Sequence, residues 1–592
     1  MFVKKIKSKN SVYLKIVHSY WDKKLKKTRQ KVVLNLGKLD NLMSNGLPTI
    51  VDKLVSIVKE EADSSKLKNI SKLRDISTMR GIAQTYYGFI IYRKLWNKFK
   101  ISQLIKSLQN KTKIEFDFSS VVFSMVVNQL QAPSSKFKLW QEKEKYLDIN
   151  KEINLQHYYR SLDILSVNKE NIEHFFYERN KNLFNMSLDI VFYDVTTFYF
   201  ESQKSDELKD FGFDKDNKIN NVHIVMGLLV DKYGRPIGYE LFKGNTYEGK
   251  TLLKTIEKIS KRFQINKVVI VADKGLNSKM NFKDIKDAGY DYIVSGRLKS
   301  MSQKTKNIVL DMDDYKFLTE KDLSFLDESY NLKEDKANNK TFMYKVLDYE
   351  NEVKYKVNPK DKLYKKIKLK EKLICTYSSK RASKDKKDRE RMLEKAQEII
   401  DSKEKSRLTN QKGHKKYIVK QYPENIKGED FDMALNIEKI KSEEKYDGFY
   451  VIQSSKKDLS ANDVIENYHY LYKIEESFRI MKTTMKFRPI NHWTPKRIEG
   501  HFVMCFIAFL LERDLEYTLL KNNKTKAPEQ VKQAINSMEF TKIKIENKLY
   551  YLRSNHNKLA SEIMAVLKIK QAGHLLDESQ IKNYMEMYFK TE

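Results

Sequence analysis

Two aspartates and a glutamate, far apart in the chain, are the residues best suited to chemistry. Leu188-Asp-Ile-Val-Phe-Tyr193-Asp194 and Val268-Val-Ile-Val271-Ala-Asp273 are short β-branched apolar runs, each closed by an aspartate. Such runs predict buried strands of an α/β sheet, here ending at Asp194 and Asp273. Lys274-Gly275 reads as the exit turn of the second. Sheets of this kind gather their sites at the carboxyl ends of strands. Glu475 lies in a helical segment, Tyr468-His-Tyr-Leu471-Tyr-Lys-Ile-Glu475-Glu-Ser-Phe-Arg479-Ile-Met-Lys482. Three carboxylates from three elements make an oxygen-only donor set, which suits hard divalent cations such as Mg²⁺. Each aspartate alone has a plainer reading, as a turn or cap residue at a strand end. Their conjunction with Glu475 is what points to a site.

The helical segment has its own pattern. At about 100° per residue, Tyr468, Leu471, Glu475 and Lys482 fall at about 0°, 300°, 340° and 320°, and Arg479 at about 20°. Ile474, Phe478, Met481 and Met485 form a neighbouring apolar stripe. The spacing therefore predicts one helix, packed by its stripe, with a carboxylate, cations and a tyrosine along a seam that suits a phosphate backbone. Glu476 falls at about 80°, off the seam, so Glu475 is the preferred acid.

The elements that must position these residues can be read in order. Residues 1–47 hold alternating apolar and basic stretches, Ser11–Tyr20 and Gln30–Leu36, which predict a β-hairpin. Residues 48–185 carry helical periodicity, as in Tyr86–Trp96 and Phe118–Leu130. From 186 the pattern turns to strands: the Asp194 strand, Val222–Val230, a turn at Asp231–Pro236, Ile237–Lys243, a helix near 249–263, the Asp273 strand and Tyr290–Ser295. The glutamate helix does not follow at once. Residues 300–446 intervene as an insertion, with strand-like stretches at Lys340–Leu347 and Leu373–Tyr377 and a charged helix near Lys384–Ile400. Tyr446–Gln453 is a strand that leads back, and 447–520 completes the core. Residues 521–592 read as a C-terminal helical region.

Taken together, these motifs resemble the DDE transposases of bacterial insertion sequences, in the branch with a Tyr-Arg-Glu-Lys signature helix. The resemblance rests on Tyr193-Asp194-Val-Thr-Thr197, Gly244-Asn-Thr246, Val271-Ala-Asp273-Lys-Gly275-Leu-Asn-Ser278, the Tyr468–Lys482 segment and Arg497-Ile-Glu-Gly500-His501. The second signature position departs, with Leu471 where the family pattern has Arg; packing on the apolar stripe accounts for it, and Arg479 or Lys473 is the substitute cation.

The resemblance implies an α/β fold: a ribonuclease-H-like catalytic core with a mixed, β-containing insertion before the glutamate helix, an N-terminal β-hairpin and a helical DNA-binding region. It implies Asp194, Asp273 and Glu475 as converging catalytic and metal-binding residues, Mg²⁺ as cofactor with Mn²⁺ as a substitute, and Tyr468, Arg479 and Lys482 as DNA contacts. It also implies double-stranded DNA as partner, both terminal inverted repeats and target, with a homodimer on the DNA. A ribonuclease-H-like nuclease or resolvase stays open as an alternative, as does a non-catalytic DNA-binding derivative of a transposase.

Composition bounds the rest. The chain has 592 residues, too many for one core. Two cysteines, Cys375 and Cys505, form no disulfide framework and fit a reducing cytoplasm. The start, Met-Phe-Val-Lys-Lys-Ile-Lys, has no signal-like apolar core. The longest apolar run, Phe502–Leu511, falls short of the roughly 20 residues of a membrane span and predicts a buried helix. The net charge of +34 favours a polyanionic partner, although scattered solvated lysines would give the same sum. The two accounts differ in salt dependence. If the charge serves DNA binding, affinity for the element's ends is expected to fall by at least about 10³ between 50 and 200 mM salt, as about 6–10 phosphate contacts require. A shallow slope in a binding titration would assign the charge to composition alone.

Overall fold

Alternating apolar and basic residues at the amino terminus form a three-stranded antiparallel sheet: β1 (Phe2–Ser8), β2 (Ser11–Asp22) and β3 (Lys27–Lys38). β2 and β3 are the expected hairpin, paired from Tyr13–Lys38 to Asp22–Lys27. The expectation missed β1, which adds to the other edge of β2 with Phe2 opposite Val17. This computed structural model describes residues 2–8, 11–22, 26–40, 80–146, 152–184, 190–212, 220–263, 268–273, 275, 278–318, 342–356, 363–402, 412–421, 431–488, 490–545, 548–554 and 557–589. All of the expected helical stretch from 48 to 79, and part of the Asp273-Lys-Gly275 turn, lie outside the described residues.

The helical reading of 48–185 needs one correction: Arg80–Tyr86 is a strand, β4. Beyond it the chain is helical, with Phe89–Lys98, Ile101–Gln109, Phe118–Gln131, Leu155–Val167 and Lys169–Phe184 as the main helices. Asp117 caps the third of these by accepting from the Ser120 amide at 3.0 Å. They gather around a long helix, Pro495–Lys521, whose Phe502–Leu511 run is wholly buried, as its sequence predicts. Among the described residues no helix is long and apolar enough to cross a membrane.

From residue 190 the chain builds a mixed sheet. β5 (Ile190–Tyr199), β6 (His223–Val230) and β7 (Pro236–Lys243) are antiparallel neighbours. β8 (Val269–Ala272) and β9 (Asp291–Ser295) continue parallel to β5 on its other side. In order of appearance these five strands therefore lie 3-2-1-4-5, which is the ribonuclease-H-like order. Asp194 is not at a strand end. β5 runs on to Tyr199, because Val195–Tyr199 keep pairing with β6.

The insertion is not set apart from this sheet. It holds a two-residue strand, β10 (Lys316–Phe317), and two long ones, β11 (Phe342–Tyr355) and β12 (Lys365–Ser378). After these come the expected charged helix, Ser379–Asp401, and a small pair, β13 (Ile418–Gln421) and β14 (Asp432–Leu435). The chain then returns through β15 (Phe449–Ser454), which pairs with β12 on one side and β9 on the other. One nine-stranded sheet results. A buried Glu371 ties the joint, accepting from Tyr292, Gln453 and Asn351.

The C-terminal region is mixed rather than helical. β16 (Glu539–Ile545), β17 (Lys548–Arg553) and β18 (Leu575–Asp577) form a sheet completed by β4 from the other end of the chain. β-Branched and aromatic residues in Phe540–Ile543 and Leu549–Leu552 outweigh the helical character of their neighbours.

Gly500 shows how closely the elements pack. A Cβ there would lie 2.0 Å from the Leu162 carbonyl oxygen, so the Leu155–Val167 helix rests directly on the Pro495–Lys521 backbone. Glu499 and Arg497 reinforce this crossing, through Ser166 at 2.9 Å and Asp163 at 3.4 Å. Elsewhere in a helix, Gly→Ala would gain about 1 kcal/mol. Here overpacking opposes that gain, so Gly500→Ala is expected to destabilise by about 1–3 kcal/mol. A lowered midpoint in thermal or urea unfolding is the result to look for.

Candidate active site

Strand register brings the two aspartates together. The last residues paired along these strands are Tyr193 with Ala272 and Ala272 with Val294. One step further, Asp194, Asp273 and Ser295 form a row across three parallel strands, about 4.8 Å apart from strand to strand. The row also shares a face. Phe192 and Phe198 pack with the core built on the Pro495–Lys521 helix, whereas Val191, Tyr193 and Val195 pack on the opposite side. Period-two alternation turns Asp194 toward the long helix. The same alternation holds for Val269 and Val271 against Ile270 and Ala272, and for Ile293 against Tyr292 and Val294. Asp273 is exposed, just past the end of β8, and Asp194 is half-buried and accepts from the Val195 amide at 2.7 Å.

The glutamate is delivered onto that face by a helix different from the one expected. The Tyr468–Lys482 segment is split into helices Ala461–His469 and Tyr472–Arg479, followed by a π-turn, Ile480–Thr484. Between the two helices, the Leu471 amide bonds Tyr468 and the Ile474 amide bonds Leu471, both three residues back. This tighter winding and the wider π-turn shift the phases that a uniform 100° wheel assigns to Tyr468 and Lys482. Ile474 and Phe478 still fill the core, as the apolar stripe predicts. Burial raises the Glu475 carboxyl, and the negative charge of Asp273 raises it further. Glu476 is occupied elsewhere. It receives the buried Arg513 at 3.3 Å and Lys473 at 3.4 Å; burial alone would raise its carboxyl, but these cations outweigh it and lower it.

The other three expected residues divide. Burial raises the Tyr468 phenol, Tyr450 raises it further, and the charge of Asp273 adds a smaller push in the same direction. Its hydroxyl meets that of Tyr450 at 2.6 Å, and Tyr450 donates to Ser295 Oγ at 2.7 Å. The Arg381 guanidinium caps the Tyr450 ring at 4.3 Å. Lys482 reaches along β5, its amino group 5.9 Å from the Phe198 ring centre. Arg479 is exposed and lies 3.8 Å from Glu476 rather than Glu475. A cavity of about 400 Å³ opens next to this group, lined by Ser295, Arg297, Tyr450 and, from the insertion, Arg381, Tyr417 and Glu443. Ser295 and Tyr450 carry no sequence motif; only the pairing of β9 with β15 brings them to the acids.

Among the described residues no three His, Cys, Asp or Glu side chains stand at a spacing that would hold an ion. The chemistry of the donors still suits one. All three are carboxylates, and the mutual repulsion of Asp273 and Glu475 is what a cation between them would offset.

Comparison with known proteins places the chain in a family. The transposase DDE-domain family profile matches residues 185–511, and an IS1634-family transposase N-terminal domain matches residues 3–69. The chain therefore belongs to the DDE-domain transposases, which are metal-dependent enzymes of DNA cleavage and strand transfer. No curated protein matches it. Among solved structures, a piggyBac transposase synaptic complex with hairpin DNA aligns over 84% of this chain and 82% of its own, at 9% identity and a TM-score of 0.33. A Mos1 transposase paired-end complex with the left transposon end aligns over 31% and 59%, at 11% identity and a TM-score of 0.14.

Leu471, the departure from the signature, is 5% exposed and belongs to the same core as Ile474 and Phe478. Leu471→Ala is expected to cost about 2–5 kcal/mol through the cavity it leaves. Leu471→Arg, which restores the family residue, should also lower the melting temperature, because its charge has no room to leave the core. An arginine variant that melts like the native protein and binds DNA ends more tightly would place this position at the DNA instead.

Proposed function

We propose that this transposase cleaves DNA at the ends of an insertion sequence and joins the freed 3′ ends to target DNA, using Asp194, Asp273 and Glu475 as its catalytic residues. One observation carries the reading: two aspartates adjacent in register on a single face of the sheet, with Glu475 close enough to feel the charge of Asp273. These three residues would hold Mg²⁺, with Mn²⁺ as substitute, since oxygen-only donors favour hard cations. When bound, the cation supplies activation of a water or 3′-hydroxyl and stabilises the leaving oxygen of an in-line displacement.

The remaining work belongs to side chains. Tyr468 and Lys482 grip the terminal phosphates, and Arg479 adds a further DNA contact. Tyr450 and Ser295 fix the Tyr468 hydroxyl, and Arg381 brings the insertion to bear on it. No protein nucleophile is required. We assign residues 186–299 and 447–520 to the catalytic core and 48–185 to binding DNA, with 1–47 as an N-terminal β-hairpin region, 300–446 as an insertion domain and 521–592 as a C-terminal region. The active unit is a homodimer on paired ends, and the protein acts in the cytoplasm, where its two buried thiols stay reduced.

The test separates chemistry from binding. Asp194→Asn, Asp273→Asn and Glu475→Gln are each expected to cut Mg²⁺-dependent end cleavage by about 10³-fold or more, since metal charge stabilisation is worth several kcal/mol. End affinity in a gel-shift titration should hardly change, because phosphate contacts supply it. Cleavage that survives in any of the three removes that residue from the site. Joining of a labelled pre-cut end to plasmid distinguishes a transposase from a nuclease.

A further inference from the structure

Glu475 sits on a helix that needs outside support. Tyr472–Arg479 has only 8 residues, bounded by the tight turn at Leu471 and the π-turn at Ile480–Thr484. A helix so short is marginal by itself. Ile474 and Phe478 seat one side of it in the core. A polar clamp takes another side. Arg513, from the long helix Pro495–Lys521, is buried. Its guanidinium reaches the Glu476 carboxylate through both terminal nitrogens, at 3.3 and 3.4 Å. It also donates to Glu516 at 2.6 Å and to the carbonyl oxygens of Tyr233 and Gly234 at 3.2 and 3.1 Å. These contacts engage every N–H group that a guanidinium carries.

The two carbonyls belong to the turn between β6 and β7, which is shaped to receive the arginine. Gly234 has a φ of +76°, and a Cβ there would stand 2.1 Å from Arg513 Nη2. The buried Asp231 closes the turn, accepting from the Tyr233 and Arg235 amides at 2.9 and 2.8 Å. Arg235 covers the ring of Tyr517, one helical turn beyond Arg513, at 4.0 Å. Close before this turn, Leu228 of β6 pairs with Asp194. Arg513 therefore ties Glu476, the immediate neighbour of Glu475, to the hairpin that flanks Asp194.

We propose that Arg513 is a positioning residue: by gripping Glu476 from the long helix and the β6–β7 turn, it sets the place of Glu475 relative to Asp194 and Asp273. The inference rests on the reading of these three acids as the metal site. Arg513 is not itself a ligand and acts through the backbone between two adjacent glutamates. Charge and position predict opposite signs. As a charge alone, Arg513 disfavours a cation at the acids, so its removal would tighten binding. As a positioning group, its removal loosens Glu475 and weakens binding, as loss of outer-shell support does.

The experiment titrates Mn²⁺ alone into the full chain and reads the free ion by electron paramagnetic resonance, with no DNA and no turnover. Glu475→Gln should weaken uptake, which shows that the titration reports the acids. Arg513→Gln and Glu476→Gln should each weaken it by about 10- to 100-fold. Arg513→Lys keeps the charge but loses the fork, and should weaken uptake as well. It is the variant to read if thermal melts show that Arg513→Gln does not fold. Because both residues act through one contact, their losses should not add: Arg513→Lys placed on Glu476→Gln should bind Mn²⁺ no more weakly than Glu476→Gln alone. Unchanged or tighter uptake in Arg513→Gln, or native uptake in Arg513→Lys, overturns the positioning role and leaves the acids in place. Losses that add in the double variant overturn it too, in favour of general support of the fold. If Glu475→Gln takes up Mn²⁺ as the native chain does, the proposed acid site falls and this inference with it.

Discussion

The parallel pairing of β5 with β8, and of β8 with β9, is the constraint on which the site depends. It fixes Asp194, Asp273 and Ser295 at one height and on one face. A slip of one residue in either pairing would turn an aspartate to the opposite side, where Tyr193 and Ala272 now pack. Register is protected by burial on both faces, since the residues on either side of each strand belong to a different apolar core. The acids inherit their precision from side chains that take no part in chemistry.

How much of this could be read in advance follows the range of the interactions. The strands bearing the acids, the hairpin of β6 and β7, the charged insertion helix and the buried run Phe502–Leu511 are written in local pattern, and all are present. Phase alone sets Glu475 apart from Glu476, and the structure pairs Glu476 with Arg513. The misses are non-local. β5 outruns Asp194 because β6 offers five more partners, and β4 is a strand because β16 arrives from the far end of the chain. The break at Leu471 and the π-turn at Ile480–Thr484 leave no mark in apolar periodicity, so a uniform wheel placed Tyr468 and Lys482 in phases they do not keep. Ser295 and Tyr450 are ordinary strand residues until two distant strands meet.

The insertion is mechanically part of the core. Its long strands continue the sheet through β15, and a buried glutamate, Glu371, is shared among a tyrosine of β9, a glutamine of β15 and an asparagine of β11. Removing one partner of such a network leaves a buried polar group unsatisfied, which is costly. Arg381, at the start of the insertion helix, touches Tyr450 and through it Tyr468. The insertion is thereby joined by direct contacts to the Tyr468 hydroxyl.

The pairing of β4 with β16 has a consequence in time. β4 leaves the ribosome early, and its partner, Glu539–Ile545, emerges only after the whole catalytic core has been made. At about 5–20 residues per second the wait is roughly 20–90 s. Through that interval β4 is a short strand with unsatisfied edges, the kind of segment that seeks other chains. Glu475 is likewise synthesised long after the two aspartates. A nascent or interrupted chain thus holds part of the acid row without its glutamate and an N-terminal strand without its sheet. On the proposed assignment of the acids, competence to cut arrives late, in the last fifth of synthesis, and through the same delay the edges of β4 stay open to other chains.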